Sequence, residues 1–252
     1  MDAPLLLVTN DDGYQAPGLQ ALRQTLAVIG EVFVVAPLRE ASACGQSLTI
    51  TRRVEAQEIE PRVFAVDGTP ADCVSLAVVR LLGRRPDLVL SGINRGANLG
   101  EDVFYSGTVG GAREASFYGL PAVALSLATR GNDDYEAAAE FAARLARLIL
   151  EEGLPARTML NVNMPLGALG RPVITVQGRR ESEDVLVEDA EPAREQAGQG
   201  WIVEAPSDNM DHLTDIEAIR HGLVSLTPLH CDTTHHAAVR SFQRWERILK
   251  DQ

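Results

Sequence analysis

Two adjacent carboxylates, Asp11 and Asp12, stand in the tetrapeptide Asn10-Asp11-Asp12-Gly13, directly after the apolar run Leu5 to Thr9. Neighbouring carboxylates repel, and each raises the other's pKa unless a cation lies between them. Hard oxygen donors of this kind suit magnesium or manganese. Ser42 and Asn94, which follow two further apolar runs, supply neutral oxygens that would extend the set. The same tetrapeptide is also good turn sequence, so a solvated turn is the competing reading.

A second stretch with chemical potential is Tyr105-Ser106-Gly107-Thr108-Val109-Gly110-Gly111, which opens a helix. Free backbone amides and the positive end of the helix dipole favour a phosphate there, and the two hydroxyls can donate to its oxygens. The alternative is plain N-capping by Ser106 or Thr108. There is no Walker lysine and no Gly-x-Gly-x-x-Gly after a strand, which disfavours tight triphosphate or dinucleotide binding.

Other reactive side chains carry less. His235 and His236 are adjacent, diverge on a helix and make a poor chelate with His230; surface or helix-start positions fit them better. No Gly-x-Ser-x-Gly elbow follows a strand, so Ser-His-Asp hydrolysis has little support. Cys73 sits early in an apolar helix and is expected to be buried, whereas Cys44 is the more exposed thiol.

The elements that must position these groups alternate short apolar runs with amphipathic stretches, the pattern of a parallel sheet with crossover helices. Buried strands are expected at Leu5 to Thr9, Val32 to Pro37, Asp87 to Ser91, Pro121 to Ala128 and Met159 to Asn163. More exposed strands are expected at Ser47 to Val54 and Arg62 to Val66. Helices are expected at Leu19 to Val28, Ala71 to Leu82, Thr108 to Tyr118 and Tyr135 to Glu152. Ligands of such sheets bind beyond the carboxyl ends of the strands, where Asp11, Asp12, Ser42, Asn94 and Asn98 all fall.

After Pro165 the pattern changes. Val173 to Val176, Asp184 to Val187 and Trp201 to Val203 read as strands separated by an acidic, turn-rich segment, which suggests a projecting hairpin. Leu223 to Pro228 reads as a late strand and Ala237 to Leu249 as a terminal helix. The division is therefore a core over residues 1–166 and a C-terminal region over 167–252.

The net charge of −12 argues against general binding to nucleic acid or anionic membrane, which reward clustered positive charge. A small anionic substrate is still compatible, because a bound metal reverses the local field. Three scattered cysteines form neither a disulfide framework nor a zinc-ligand spacing. The apolar run at the N-terminus is too short for a signal peptide or membrane span. A cytoplasmic location is the expectation.

Taken in order, the blocks VTNDDGYQAPGL, VVAPLREAS, VDGTPADCVSLA, DLVLSGINRGANLGEDVFYSGTV, LNVNMP and VSLTPL resemble the SurE family, the stationary-phase survival protein E nucleotidases. The resemblance implies a Rossmann-like α/β fold and a divalent-metal-dependent phosphomonoesterase acting on nucleoside 5′- and 3′-monophosphates, extending to short polyphosphate. It implies one Mg²⁺ or Mn²⁺ per subunit held by Asp11, Asp12, Ser42 and Asn94. Asn98, Ser106, Gly107 and Thr108 match the phosphate-lining positions. A homodimer or homotetramer joined through the C-terminal part is also implied. This chain departs from the pattern at Leu38, where the family usually has an acidic residue, and at Ala43-Cys44-Gly45, where it favours Gly-Ala-Ser.

The mechanism expected from this set is in-line attack by metal-activated water, with Asp11 as proton acceptor and Asn98 among the groups holding phosphate. A phosphoenzyme route needs a nucleophilic Asp two residues before Asp12, and that position is Asn10. Two other classes stay open: a non-catalytic nucleotide or metal sensor, and a metal-dependent carboxylic esterase.

Overall fold

The computed structural model describes residues 3–129, 131, 134–167, 169–179 and 212–250. Strand β1 (Leu5–Thr9) is buried at every position, as the middle of a sheet covered on both faces requires. Its side chains alternate between two layers. Leu6 and Val8 pack with Leu19, Leu22 and Leu26 of α1 (Pro17–Leu26) and with Phe141, Leu145 and Ile149 of α4 (Glu136–Glu152). Leu5 and Leu7 pack with Cys73 and Val74 of α2 (Pro70–Leu76) and with Val109, Ala112 and Ala115 of α3 (Gly107–Phe117). Each fully buried leucine contributes about 1.5–3 kcal/mol through surface removed from water.

The other strands are β2 (Glu31–Pro37), β3 (Ala56–Glu60), β4 (Val63–Val66), β5 (Leu88–Arg95), β6 (Ala122–Ala128), β7 (Thr158–Pro165), β8 (Pro172–Ile174) and β9 (Val224–His230). They form one sheet in the order β3-β4-β2-β1-β5-β6-β7-β9-β8. The six strands from β4 to β7 in that order are mutually parallel, while β3 runs antiparallel to β4 and β9 antiparallel to β7. Chain order reverses direction between neighbours β1 and β5, which makes the crevice beyond their carboxyl ends the switch point of a doubly wound sheet. This is the Rossmann-like, mostly parallel α/β fold expected from the sequence.

Some elements differ from expectation. Ser47 to Val54 is not a strand; the antiparallel edge strand is β3 instead. The segment is pinned to the start of α2, where Thr49 N–H donates to Asp72 Oδ1 at 2.9 Å and the Thr69 hydroxyl donates to the Ser47 carbonyl at 2.6 Å. The helix expected over Ala71 to Leu82 changes at Ala77–Leu81 into a π-helical turn. A short helix, α5 (Asp215–Arg220), was not foreseen. The terminal helix is present as α6 (His236–Lys250). The strands expected at Asp184 to Val187 and Trp201 to Val203, and so most of the projecting hairpin, lie outside the described residues. No helix among the described residues is long and apolar enough to cross a membrane.

Candidate metal and phosphate site

The Asn10-Asp11-Asp12-Gly13 segment is not a solvated turn. Asn10 donates from Nδ2 to the Gly13 carbonyl at 2.9 Å, and Tyr14 N–H bonds the Pro37 carbonyl at the end of β2 at 2.9 Å. The fold-back needs Gly13 at φ +98°, a conformation glycine adopts without strain. Asp11 is only 4% exposed. Its carboxylate accepts the Thr108 N–H at 3.0 Å and a second, short bond from the Thr108 hydroxyl. Asp12 is half-buried and accepts the Arg95 N–H at 3.1 Å from the end of β5.

Burial pushes the Asp11 carboxyl above its ordinary pKa; the Thr108 hydroxyl bond opposes this, and the charge of Asp12 adds to it. Asp12 is also raised chiefly by burial, with the Arg95 amide and guanidinium opposing and Glu40 adding. Loss of hydration is thus the larger cause, ahead of the mutual repulsion expected of adjacent carboxylates. Among the described residues no Lys, Arg or His forms an ion pair with either carboxylate.

Helix α3 begins against this pair. Ser106 is its N-cap, its Oγ accepting the Val109 N–H at 3.1 Å, so capping falls to Ser106 and not to Thr108. Thr108 turns both its donors to Asp11, placing a carboxylate at the positive end of the helix dipole. Gly107 makes the approach possible. A Cβ there would lie 2.7 Å from Cys44 Sγ and 2.9 Å from both Cβ and Oδ2 of Asp11. Gly110 plays the same part for the loop after β2, since a Cβ there would lie 2.2 Å from the Gly45 carbonyl oxygen.

The remaining residues are placed less uniformly. Asn94 donates from Nδ2 to the Gly96 carbonyl at 2.9 Å, which leaves its oxygen as the atom suited to a cation. Ser42 is exposed, and its hydroxyl donates to Glu40 at 2.7 Å; no hydrogen bond brings it to Asp11 or Asp12. In the same loop Ala43 takes φ +56°, the left-handed region glycine fills without penalty.

Asn98 is held by residues that sequence reasoning did not single out. Its N–H donates to Asn163 Oδ1 at 2.8 Å, its carbonyl accepts from Asn161 and Asn163, and its Nδ2 donates to Ser126 Oγ at 2.7 Å. The available signal was the alternation Asn161-Val162-Asn163 in a buried strand, which puts both amides on one face. Arg95 was a further omission; it lines a cavity of about 390 Å³ with Asp12, Pro17, Glu40 and Tyr135. The histidines lie elsewhere, His236 bonding Asp232 at 2.8 Å on the surface.

Among the described residues no cluster of three or more His, Cys, Asp or Glu could hold a metal ion. A cation here would therefore draw on two carboxylates plus neutral oxygens, a donor set that fits a hard divalent ion and not zinc. Two carboxylates desolvated side by side with no basic side chain paired to them make that fit physically reasonable.

Fold and site together define a doubly wound α/β protein with an acidic strand-end site facing a helix N-terminus across the switch point. The family model described as survival protein SurE matches residues 6–184. The chain is 49% identical over 246 residues to the 5′-nucleotidase SurE of Geobacter metallireducens, covering 96% of this chain and 97% of that protein. It is 48% identical to the 5′-nucleotidase SurE of Geobacter sulfurreducens, covering 96% and 93% respectively. The crystal structure of the SurE protein from Aquifex aeolicus superposes with a TM-score of 0.84 at 41% identity, covering 96% of this chain and 100% of that one. The chain belongs to the SurE family.

Proposed function

We propose that this chain is a divalent-metal-dependent 5′-nucleotidase, hydrolysing nucleoside monophosphates to nucleoside and phosphate. The observation that carries this is the Asp11–Asp12 pair, desolvated at the switch point, in no ion pair among the described residues though the Arg95 guanidinium acts on Asp12, and set against the N-terminus of α3. The names of the two Geobacter relatives support the same activity. Asp11, Asp12, Asn94 and Ser42 would hold one Mg²⁺ or Mn²⁺ per subunit, with Ser42 turning from Glu40 to join the set. A bound divalent cation supplies charge neutralisation on the phosphate and a lower pKa for the attacking water.

The chain's own residues do the rest. Asp11 accepts the proton of the attacking water, held in orientation by its two bonds from Thr108. Asn98, Ser106 and Gly107 supply the donors at the phosphate position, with Thr108 beside them committed to Asp11, and these fixed donors and the α3 dipole stabilise charge without reorganising. Nucleoside 3′-monophosphates and short polyphosphate fall within the same proposal, because the phosphoryl group is what these residues address. Residues 1–166 would carry catalysis and 167–252 would join subunits into a homodimer or homotetramer. The exposed apolar face of α6, with Val239, Phe242, Trp245 and Leu249, supports that role. Three free cysteines fit a cytoplasmic location.

The test is phosphate release from a panel of 5′- and 3′-nucleoside monophosphates by metal-stripped protein, with Mg²⁺, Mn²⁺ or no addition, beside Asp12→Asn. Metal-dependent release that Asp12→Asn lowers by at least about 10²-fold is expected. Turnover without metal, or an unaffected variant, would remove the carboxylate pair from the chemistry. Metal binding without turnover would favour a sensor, and cleavage of carboxylic esters uninhibited by orthophosphate an esterase.

A further inference from the structure

We propose that Ser126 and Asn163 are positioning residues for phosphate hydrolysis, acting by holding Asn98 in one orientation; the inference rests on the nucleotidase reading and deepens it. Asn98 lies in the loop three residues beyond the end of β5, where backbone groups have no ladder partner. Side chains of the neighbouring strands replace that ladder. Asn163 of β7 both accepts the Asn98 N–H at 2.8 Å and donates to its carbonyl at 3.0 Å, which fixes its own amide orientation. Asn161, two residues earlier on the same face, donates to that carbonyl at 2.8 Å. Ser126 of β6 then takes one of the two amide hydrogens of the Asn98 side chain at 2.7 Å. Among the described residues no other hydrogen bond engages the second amide hydrogen or Oδ1, which can address a ligand.

Energetics decide between a structural and a positioning role. Ser126, Asn161 and Asn163 are fully buried among apolar strand residues. A satisfied buried polar pair contributes little net stability over apolar residues of similar shape, so stability alone does not call for three such groups here. What the polar set provides is a fixed backbone, through Asn161 and Asn163, and a fixed side-chain amide, through Ser126, at one loop residue. A misplacement of about 1 Å can cost roughly 10²-fold in rate.

The experiment compares wild type, Ser126→Ala, Asn98→Ala and the double variant. It measures kcat and KM on a 5′-nucleoside monophosphate, Tm, and calorimetric affinity for inorganic phosphate with Mg²⁺ present. Ser126→Ala is expected to lower kcat about 10-fold with KM within about 3-fold, the signature of lost transition-state orientation. In the Asn98→Ala background it should change neither kcat nor phosphate affinity. Ser126→Cys, which keeps the volume and weakens the acceptor, gives the same comparison if Ser126→Ala does not fold. Wild-type kcat in Ser126→Ala, or losses that multiply in the double variant, would overturn the inference. A wild type with no turnover would instead remove the nucleotidase reading, and the binding arm then decides: phosphate held equally by wild type and Asn98→Ala overturns the positioning role as well.

Discussion

Gly107→Ala tests the close approach of α3 to the carboxylate pair. Alanine is ordinarily favoured over glycine within a helix by up to about 1 kcal/mol, so propensity works for this substitution. Space works against it. The new methyl would stand 2.7 Å from Cys44 Sγ and 2.9 Å from Asp11 Cβ and Oδ2, closer than real Cβ contacts come. Either the helix start or Asp11 must move, and Asp11 is tied to the same helix turn through Thr108. Overpacking of this kind costs about 1–3 kcal/mol. For a chain of this size that lowers Tm by roughly 2–12 °C. The folded variant should also lose about 10²-fold in kcat/KM, because the displaced atom is the proposed ligand and base. Differential scanning fluorimetry and metal-dependent phosphate release read the two effects separately. Adding Cys44→Ala should recover part of the stability and little of the rate, since the contact with Asp11 persists. Wild-type kcat/KM in Gly107→Ala would refute the reasoning that this glycine gives the helix its access to Asp11.

Two further expectations concern the C-terminal region. Phe242 and Trp245, in edge contact at 4.8 Å on exposed α6, should become unfit for subunit contact in Phe242→Glu/Trp245→Glu. Light scattering should then report a lower molar mass, and an unchanged mass would exclude that face from assembly. Thr214 caps α5, its Oγ1 accepting the Glu217 N–H at 3.1 Å and its N–H donating to Glu217 Oε2 at 2.7 Å, so Thr214→Ala should cost about 1 kcal/mol in urea denaturation. Glu217 is held below its ordinary pKa by the Thr214 N–H and then by its hydroxyl. Its contribution is therefore present above the unfolded carboxylate pKa and lost as pH falls through the folded one. The wild-type advantage should narrow in acid; a constant gap would remove Glu217 from the cap.

The parallel core was legible because strands buried on both faces read as unbroken apolar runs, and helices such as α1 and α4 carry one apolar stripe. Ser47 to Val54 misled for a physical reason: it alternates like a strand, but Asp72 and Thr69 at the α2 N-terminus claim its backbone. The real edge strand, Ala56–Glu60, is exposed at all five positions and has no pattern to read. Helix α5 did leave a trace, the capping box from Thr214 to Glu217, in a segment too short for apolar periodicity to register. At the site, the carboxylates and the α3 N-terminus could be named from residue type and strand position. That Thr108 spends both donors on Asp11 could not, because side-chain direction at a helix start depends on how closely α3 packs, which Gly107 and Gly110 set. The bonds to Asn98 depend on the register of β6 against β7, another property of the assembled sheet.

The order in which the site is synthesised differs from the order in which it can close. Asp11 and the Thr108 that orients it are 97 residues apart, and Asp12 meets the Arg95 amide across 83. Between them the chain must run outward through β2, β3 and β4 before β5 returns to lie beside β1. A nascent chain that has just emitted β1 thus carries two carboxylates with nothing to converge on. A cation captured at that stage would find flexible ligands and leave again. A cation held by the proposed set would therefore need β1, β5 and the start of α3 already side by side. Its carboxylate pair is translated early and gains its partners only after about a hundred further residues.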